Sequence, residues 1–259
     1  MKHFARLLVS LIPFLFFMPL AISKQPTDPV TAATQGDASA QYTVGQYYLT
    51  GDHGVVQNNE TAFTWFLKSA NQNNALAQYQ LGLMYQQGIG VKQDAASSLQ
   101  WLTASAKTGY VPAQLLLAYR YHHGIDAPHN DVLAAQWYHV AAKANNPDAQ
   151  YMLGWMYQNA VGVPENDKEA LSWYRAAALL GQSNAQLLLG VMFHEGKVTE
   201  RNDKLAYIWL DLASLSQDKN VQARAKKYRA ILSKSLTQAE INEAQASANT
   251  LYKAQHPAL

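Results

Sequence analysis

The chain contains no cysteine among its 259 residues. Disulfides, thiol nucleophiles and cysteine-bound metals are thereby excluded, and packing alone must hold the fold. Charge is sparse, at 15% of residues, and balanced in sign. Setting Lys2 and Arg6 aside from the 20 basic residues leaves 18 against 18 acidic ones. No lysine- or arginine-rich face is present, which argues against nucleic acid as a partner. No Gly-rich phosphate loop, His-Glu-x-x-His pair or convincing carboxylate pair occurs either. No enzyme class is suggested, and no cofactor is implied.

Long hydrophobic runs are also scarce. The stretch Leu7–Leu20 is interrupted by Pro13 and Pro19 and falls short of the roughly 20 residues of a membrane span. It follows Lys2 and Arg6, and small residues stand at Ala21 and Ser23. That order of charge, apolar run and small residues is a secretory signal, with cleavage expected before Lys24. An uncleaved anchor is the alternative. Residues 1–23 are thus read as leader, and 24–35, with two prolines and few apolar residues, as a linker. No stable membrane insertion is expected after cleavage.

What the chain has in abundance is order. Tryptophans stand at 65, 101, 137, 173 and 209, each 36 residues after the last. Ala-Gln pairs recur at 40–41, 77–78, 113–114, 149–150 and 185–186. A fixed period of this length means stacked supersecondary units. The first unit carries one extra residue, placed after Tyr48 in the loop "TGDHGV". Each unit reads as two helices. Leu81 and Tyr85, or Leu153 and Tyr157, form an i, i+4 stripe on the first. Asn58, Asp94, Asn130, Asn166 and Asn202 each precede a tryptophan by seven residues, and all are good N-caps for the second helix. Pro112 and Pro147 suit a first helical turn. Gly45, Gly82, Gly154 and Gly190 share one position with Ala118, so a small residue is required there for close helix approach.

These units resemble Sel1-like repeats, relatives of tetratricopeptide repeats. "AQYQLGLMYQQGIGVKQDAASSLQWLTASAKTG" and "AQYMLGWMYQNAVGVPENDKEALSWYRAAALLG" carry the pattern Ala-x-x-x-Leu-Gly-x-x-Tyr, then Gly-x-Gly-Val, then Ala-x-x-Trp-Tyr-x-x-Ala-Ala. The third repeat ("HHGIDAPHN") and the fifth ("HEGKVTERN") lack the Gly-x-Gly-Val turn, so their loops are expected to differ in shape. The resemblance implies an all-α fold, an α-solenoid of five stacked helix-turn-helix repeats over 36–216. The units run about 36–72, 73–109, 110–145, 146–181 and 182–216. The period is read as ending near Gln217, with capping helices over 217–259 that include a Thr237–Glu240 capping box. The resemblance further implies a non-catalytic adaptor in a bacterial envelope, periplasmic or secreted, binding another protein or peptide.

Comparing the copies within the chain separates framework from variation. A stripe one position over from the Leu-Gly-x-x-Tyr framework differs between repeats: Tyr42, Tyr79 and Leu83, Tyr119 and His122, then Tyr151, Trp155 and Gln158, with His194 in the last. In tetratricopeptide-like superhelices this stripe lines the concave face, and its mixed aromatic and amide character suits a peptide or helix. Trp155 and Tyr119 are the anchor candidates, with inter-repeat core the competing role. No metal site is expected, although His122, His123 and His129 are weak candidates for zinc or nickel. Lys107-Thr108-Gly109 and Ser216–Lys219 spell two elements of penicillin-recognising enzymes, but in reversed order and with Gly109 at a helix end. A peptidoglycan-related or β-lactam-binding protein is therefore the alternative reading. Some Sel1-like proteins described as binding β-lactams are cysteine-rich, unlike this chain.

Overall fold

A computed structural model describes residues 28–256, so the expected leader lies outside the described residues. Among them the chain is all helical, with no strand. Helix α1 (Pro29–Thr34) precedes five pairs. These are α2 (Ala38–Thr50) with α3 (Asn59–Ala70), α4 (Ala75–Gln87) with α5 (Ala95–Lys107), and α6 (Val111–His123) with α7 (Asp131–Lys143). Then come α8 (Pro147–Gln158) with α9 (Asp167–Leu179) and α10 (Ser183–Glu195) with α11 (Asp203–Ala213). Helices α12 (Lys219–Leu232) and α13 (Gln238–Gln255) close the array. From α1 to α11 each helix packs chiefly on its neighbours in sequence, which is the solenoid arrangement.

The five expected N-caps all function. Asn58, Asp94, Asn130, Asn166 and Asn202 each accept a backbone N–H in the first turn of the following helix. Their own N–H groups donate back to Tyr48, Tyr85, Tyr121, Tyr157 and Phe193, closing every intra-repeat loop at 2.8–3.0 Å. The loop ends are therefore fixed, and the extra residue of the first unit is absorbed between them. The third repeat also keeps its left-handed loop conformation. Asp126, at φ +54, stands where the second and fourth repeats have Gly90 and Gly162 at +66 and +68, a region that aspartate tolerates better than most side chains.

The recurrent small residue is explained by the helix opposite. A Cβ on Gly45, Gly82, Gly154 or Gly190 would come within 2.4–2.8 Å of Phe66, Leu102, Tyr174 or Leu210, the residue after each tryptophan. Ala118 packs in the same cluster as Tyr138, the corresponding residue of its own repeat. Trp101, Trp137 and Trp173 each lie against the core cluster at the seam with the preceding repeat, and Trp137 also touches the next cluster.

The Ala-Gln pair has a purpose that the pattern did not disclose. Gln41, Gln78, Gln114, Gln150 and Gln186 are buried. Each donates from Nε2 to the carbonyl eight residues earlier, those of Ala33, Ala70, Ala106, Ala142 and Ala178, at 3.0–3.3 Å. The acceptors lie in the last turn of the preceding helix, where carbonyls have no intrahelical partner.

This clasp revises both ends of the array. Residues Pro29–Thr34, expected as part of a linker, are helical, because Asp28 caps them and Ala33 supplies the first clasp carbonyl. At the other end the tryptophan and glycine positions stop, as expected near Gln217. The cap and clasp positions continue, with Asp218 capping α12 and Gln222 reaching Ser216 O at 3.4 Å. Helices α1 and α12 are thus half-units, and α13 covers α11 and buries Trp209. The Thr237–Glu240 capping box opens α13 as expected.

One core position breaks the pattern. Arg120 is 1% exposed where the second, fourth and fifth repeats carry Met84, Met156 and Met192. Its Nη1 donates to Ser98 Oγ at 3.0 Å, and Nη2 stands 3.9 Å from Asp126 Oδ2. Nε and Nη2 make no hydrogen bond. Burial lowers the guanidinium's pKa, with Asp126 opposing. Ser98 in turn occupies the place of Ala62, Ala134, Ala170 and Ala206. The two departures meet across the seam between the second and third repeats.

Two predictions follow the packing. Gln150→Leu preserves size but removes the buried side-chain donor to Ala142 O, leaving that carbonyl only the Asn145 N–H. Its urea midpoint should fall by the equivalent of about 1–3 kcal/mol. Gln100→Leu, at an exposed position of α5, should change it by less than about 0.5 kcal/mol. Restoring the repeat pattern with Arg120→Met and Ser98→Ala together should raise the midpoint, by about 1–4 kcal/mol, because incompletely paired buried ions gain from apolar replacement. A double variant less stable than the parent would show that the ion is a net stabiliser.

Candidate partner-binding face

The variable stripe lies along the first helices, and its members differ in how free they are. Tyr119 is the exposed one, at 47%, with its ring tilted against His123 at 4.2 Å. Trp155 is half-buried and packs on the core clusters of both neighbouring seams, while its ring meets His122 edge-on at 5.7 Å. Trp155 thus fills the seam while leaving part of its ring exposed. Leu83 is half-buried.

Tyr42 and Tyr79 are half-buried and drawn together by a residue that the sequence reading missed. Tyr110 meets Tyr79 in a T-shaped contact at 5.2 Å. Burial raises the pKa of both Tyr42 and Tyr79, and the nearby Tyr110 phenol adds to it. Tyr110 stands at the N-cap of α6, where the other first helices have Asp37, Asn74, Asn146 and Gln182 as side-chain caps. It makes no cap hydrogen bond. The repeat gives up a cap and gains an aromatic.

Other stripe residues are committed internally. Gln158 Oε1 accepts from Tyr174 Oη at 2.8 Å. His194 Nδ1 pairs with Asp203 Oδ1 at 2.9 Å. Tyr151 tilts against Tyr174 at 5.9 Å; burial raises its pKa, and Arg224 of α12 opposes that. Leu187, at the head of the stripe in the fifth repeat, is 1% exposed, and α12 packs on its helix. The C-terminal half-unit thus covers the last part of the stripe, and the open stretch centres on the third repeat.

The histidine-rich loop "YHHGIDAPHND" brings His122 and His129 to Asp131. His123, the other weak candidate, makes no contact with Asp131 and packs its ring against Tyr119 and His122. The two penicillin-enzyme elements belong to different helices. Thr108 and Gly109 end α5, with Thr108 Oγ1 donating to Ser105 O. Ser216 lies between α11 and α12 and donates to Ser183 Oγ at 3.0 Å. The cleft beside Ser216, shared with Ser183 and Tyr252, is lined by no lysine among the described residues. No helix of the described residues is long and apolar enough to cross a membrane.

Comparison with known proteins places this framework. The Sel1 repeat pattern matches residues 38–74, 75–110, 111–146, 147–182 and 183–218. Chitin synthase regulatory factor 3 of Schizosaccharomyces pombe is 42% identical over 64 residues, covering 24% of this chain and 7% of that protein. Human protein sel-1 homolog 2 is 38% identical over 64 residues, covering 24% of this chain and 9% of that protein. The chain therefore spans less than a tenth of these curated relatives. The crystal structure of a Sel1 repeat protein from Oxalobacter formigenes is 26% identical, covers 83% of this chain and 89% of that one, and superposes with a TM-score of 0.65. With its five tandem matches and solenoid packing, the chain belongs to the Sel1 repeat family.

Proposed function

We propose that the chain is an exported, non-catalytic adaptor that binds an extended peptide or a helix of another protein across its first-helix face. Sel1 repeat proteins are generally protein–protein interaction scaffolds. One observation carries the placement: three departures from the internal repeat framework fall in the third repeat, whose first helix carries the exposed Tyr119. Tyr110, Arg120 and Asp126 are there, and Ser98 meets Arg120 from the second repeat. Tyr119 offers a large amphipathic ring at low conformational cost, the kind of residue that dominates binding energy. The half-buried edges of Tyr79 and Trp155 flank it on the adjacent repeats. The leader-like start supports export to a periplasmic or external compartment, and the name of the S. pombe relative states a regulatory role for that protein.

The test is site-specific photocrosslinking in the producing cell. A photoreactive phenylalanine at position 119 should trap a defined partner band, whereas the same group at Val140, exposed on α7, should not. Tyr119→Ala should then weaken binding of that partner about tenfold or more with an unchanged melting temperature. Equal labelling from both positions, or full affinity in Tyr119→Ala, refutes this placement. Amino-terminal sequencing of the mature protein, expected to begin at Lys24, tests export.

A further inference from the structure

Three side chains of the third repeat converge where α6 ends and α7 begins. His122 Nδ1 lies 2.6 Å from Asp131 Oδ1, and His129 Nε2 lies 3.2 Å from Asp131 Oδ2. One ligand atom from each residue falls within 4.8 Å of the others. Two imidazole nitrogens and a carboxylate are a donor set that suits zinc and its neighbours in the first transition row. The placement is imposed by the fold: His122 sits in the last turn of α6, Asp131 is the first residue of α7, and the loop between them is clamped by Asn130 N–H on Tyr121 O.

The fifth repeat supplies an internal comparison. His194 and Asp203 repeat the histidine–carboxylate pair at 2.9 Å, 72 residues further on. There the position of His129 is taken by Arg201, which donates to both oxygens of Asp203 at 3.1 and 2.7 Å. Ser235 adds a further hydrogen bond. The guanidinium first, and His194 after it, hold the Asp203 pKa down to about 2. The fifth repeat has thus built a permanent cation into the site. In the third repeat that place belongs to an imidazole on a loop, 61% exposed, which can present a lone pair. The remaining repeats have Leu49, Gln86 and Gln158 in place of His122, and Gln57, Gln93 and Glu165 in place of His129.

We propose that His122, His129 and Asp131 form a binding site for a divalent transition-metal ion, zinc being the best match, with a fourth position open to water or to a partner's side chain. Ligand atoms around four-coordinate zinc stand about 3.3 Å apart. The His122–Asp131 pair must open slightly, and the exposed His129 is free to close on the ion. Each imidazole binds through the nitrogen that now faces Asp131, its proton residing on the other ring nitrogen. His123 is outside the set. The ion would lie beside Trp155, whose ring meets His122.

The experiment uses tag-free protein, stripped with chelator and titrated with zinc alone by calorimetry and by competition with a chromophoric chelator. One ion per chain should bind with a Kd below about 10 μM, and the melting temperature should rise with zinc concentration. His129→Arg installs the side chain that the fifth repeat accommodates, so it should fold normally and lose uptake by about 100-fold or more. His123→Ala should bind as the parent does. No uptake at about 100 μM zinc, or uptake unchanged in a folded His129→Arg variant, overturns the proposal. The readout is ion binding by the isolated chain, so it stands or falls separately from partner capture.

Discussion

The buried glutamine that opens each repeat is the contact on which the stack depends. Stacking helices end to end buries carbonyls at the end of each second helix, and those carbonyls carry the negative end of the helix dipole. A lysine or arginine could answer them only by burying a charge, at a cost of several kcal/mol. A neutral amide answers one carbonyl without that cost. The Oε1 atoms of Gln78, Gln114 and Gln150 remain without partners, so the arrangement favours the helix end over the amide's own oxygen. Because donor and acceptor belong to successive repeats, the same bond sets their spacing and rotation. It also dictates what the ends must be. The first repeat needs a carbonyl before it, which α1 provides. The last exposed seam needs covering, and Gln255 of α13 reaches back to Ala178 O, the same acceptor that Gln186 uses.

Around that bond the framework leaves little freedom. The small residue of each first helix receives the residue after the tryptophan, and Trp101, Trp137 and Trp173 pack at the seam with the preceding repeat. These positions therefore repeat closely. A residue that departs from them is informative in a way that one variable surface residue is not. Arg120 departs with Ser98, and Asp126 departs with both. Three substitutions in two repeats make sense only together, as one polar bracket across a seam.

The period, the helix pairs and the second-helix caps were legible because each rests on local chemistry repeated five times. The glutamine clasp was not, since a polar residue in every helix reads equally well as a solvent-facing one. Helix α1 is too short for periodicity to show, and its Pro29, with Pro26 just before it, suggested a linker. The half-unit α12 had lost the Leu-Gly core that identifies a repeat and kept only its cap and its glutamine. On the candidate face, the sequence located the stripe but not the partners of its members. That Gln158 serves Tyr174, or that His194 serves Asp203, depends on how the intra-repeat turn folds back. The same turn brings Asp131 to His122 and leaves His123, its neighbour in sequence, without a bond to that carboxylate.

In a one-dimensional array the stability of a unit is its own plus that of its two interfaces. A costly feature is therefore best tolerated in the middle, where both interfaces exist. The ends of the described array are occupied with capping: α1 supplies a carbonyl, and α12 lies over the fifth repeat's stripe. The third repeat has a full neighbour on each side. It carries an incompletely paired buried arginine, an aspartate in a left-handed conformation and an aromatic in place of a helix cap. Each departs from a favourable local arrangement, and all of them lie in the repeat whose first helix carries the exposed Tyr119. The third repeat thus combines these local costs with the exposed Tyr119, and for that reason the proposed recognition face is centred on it.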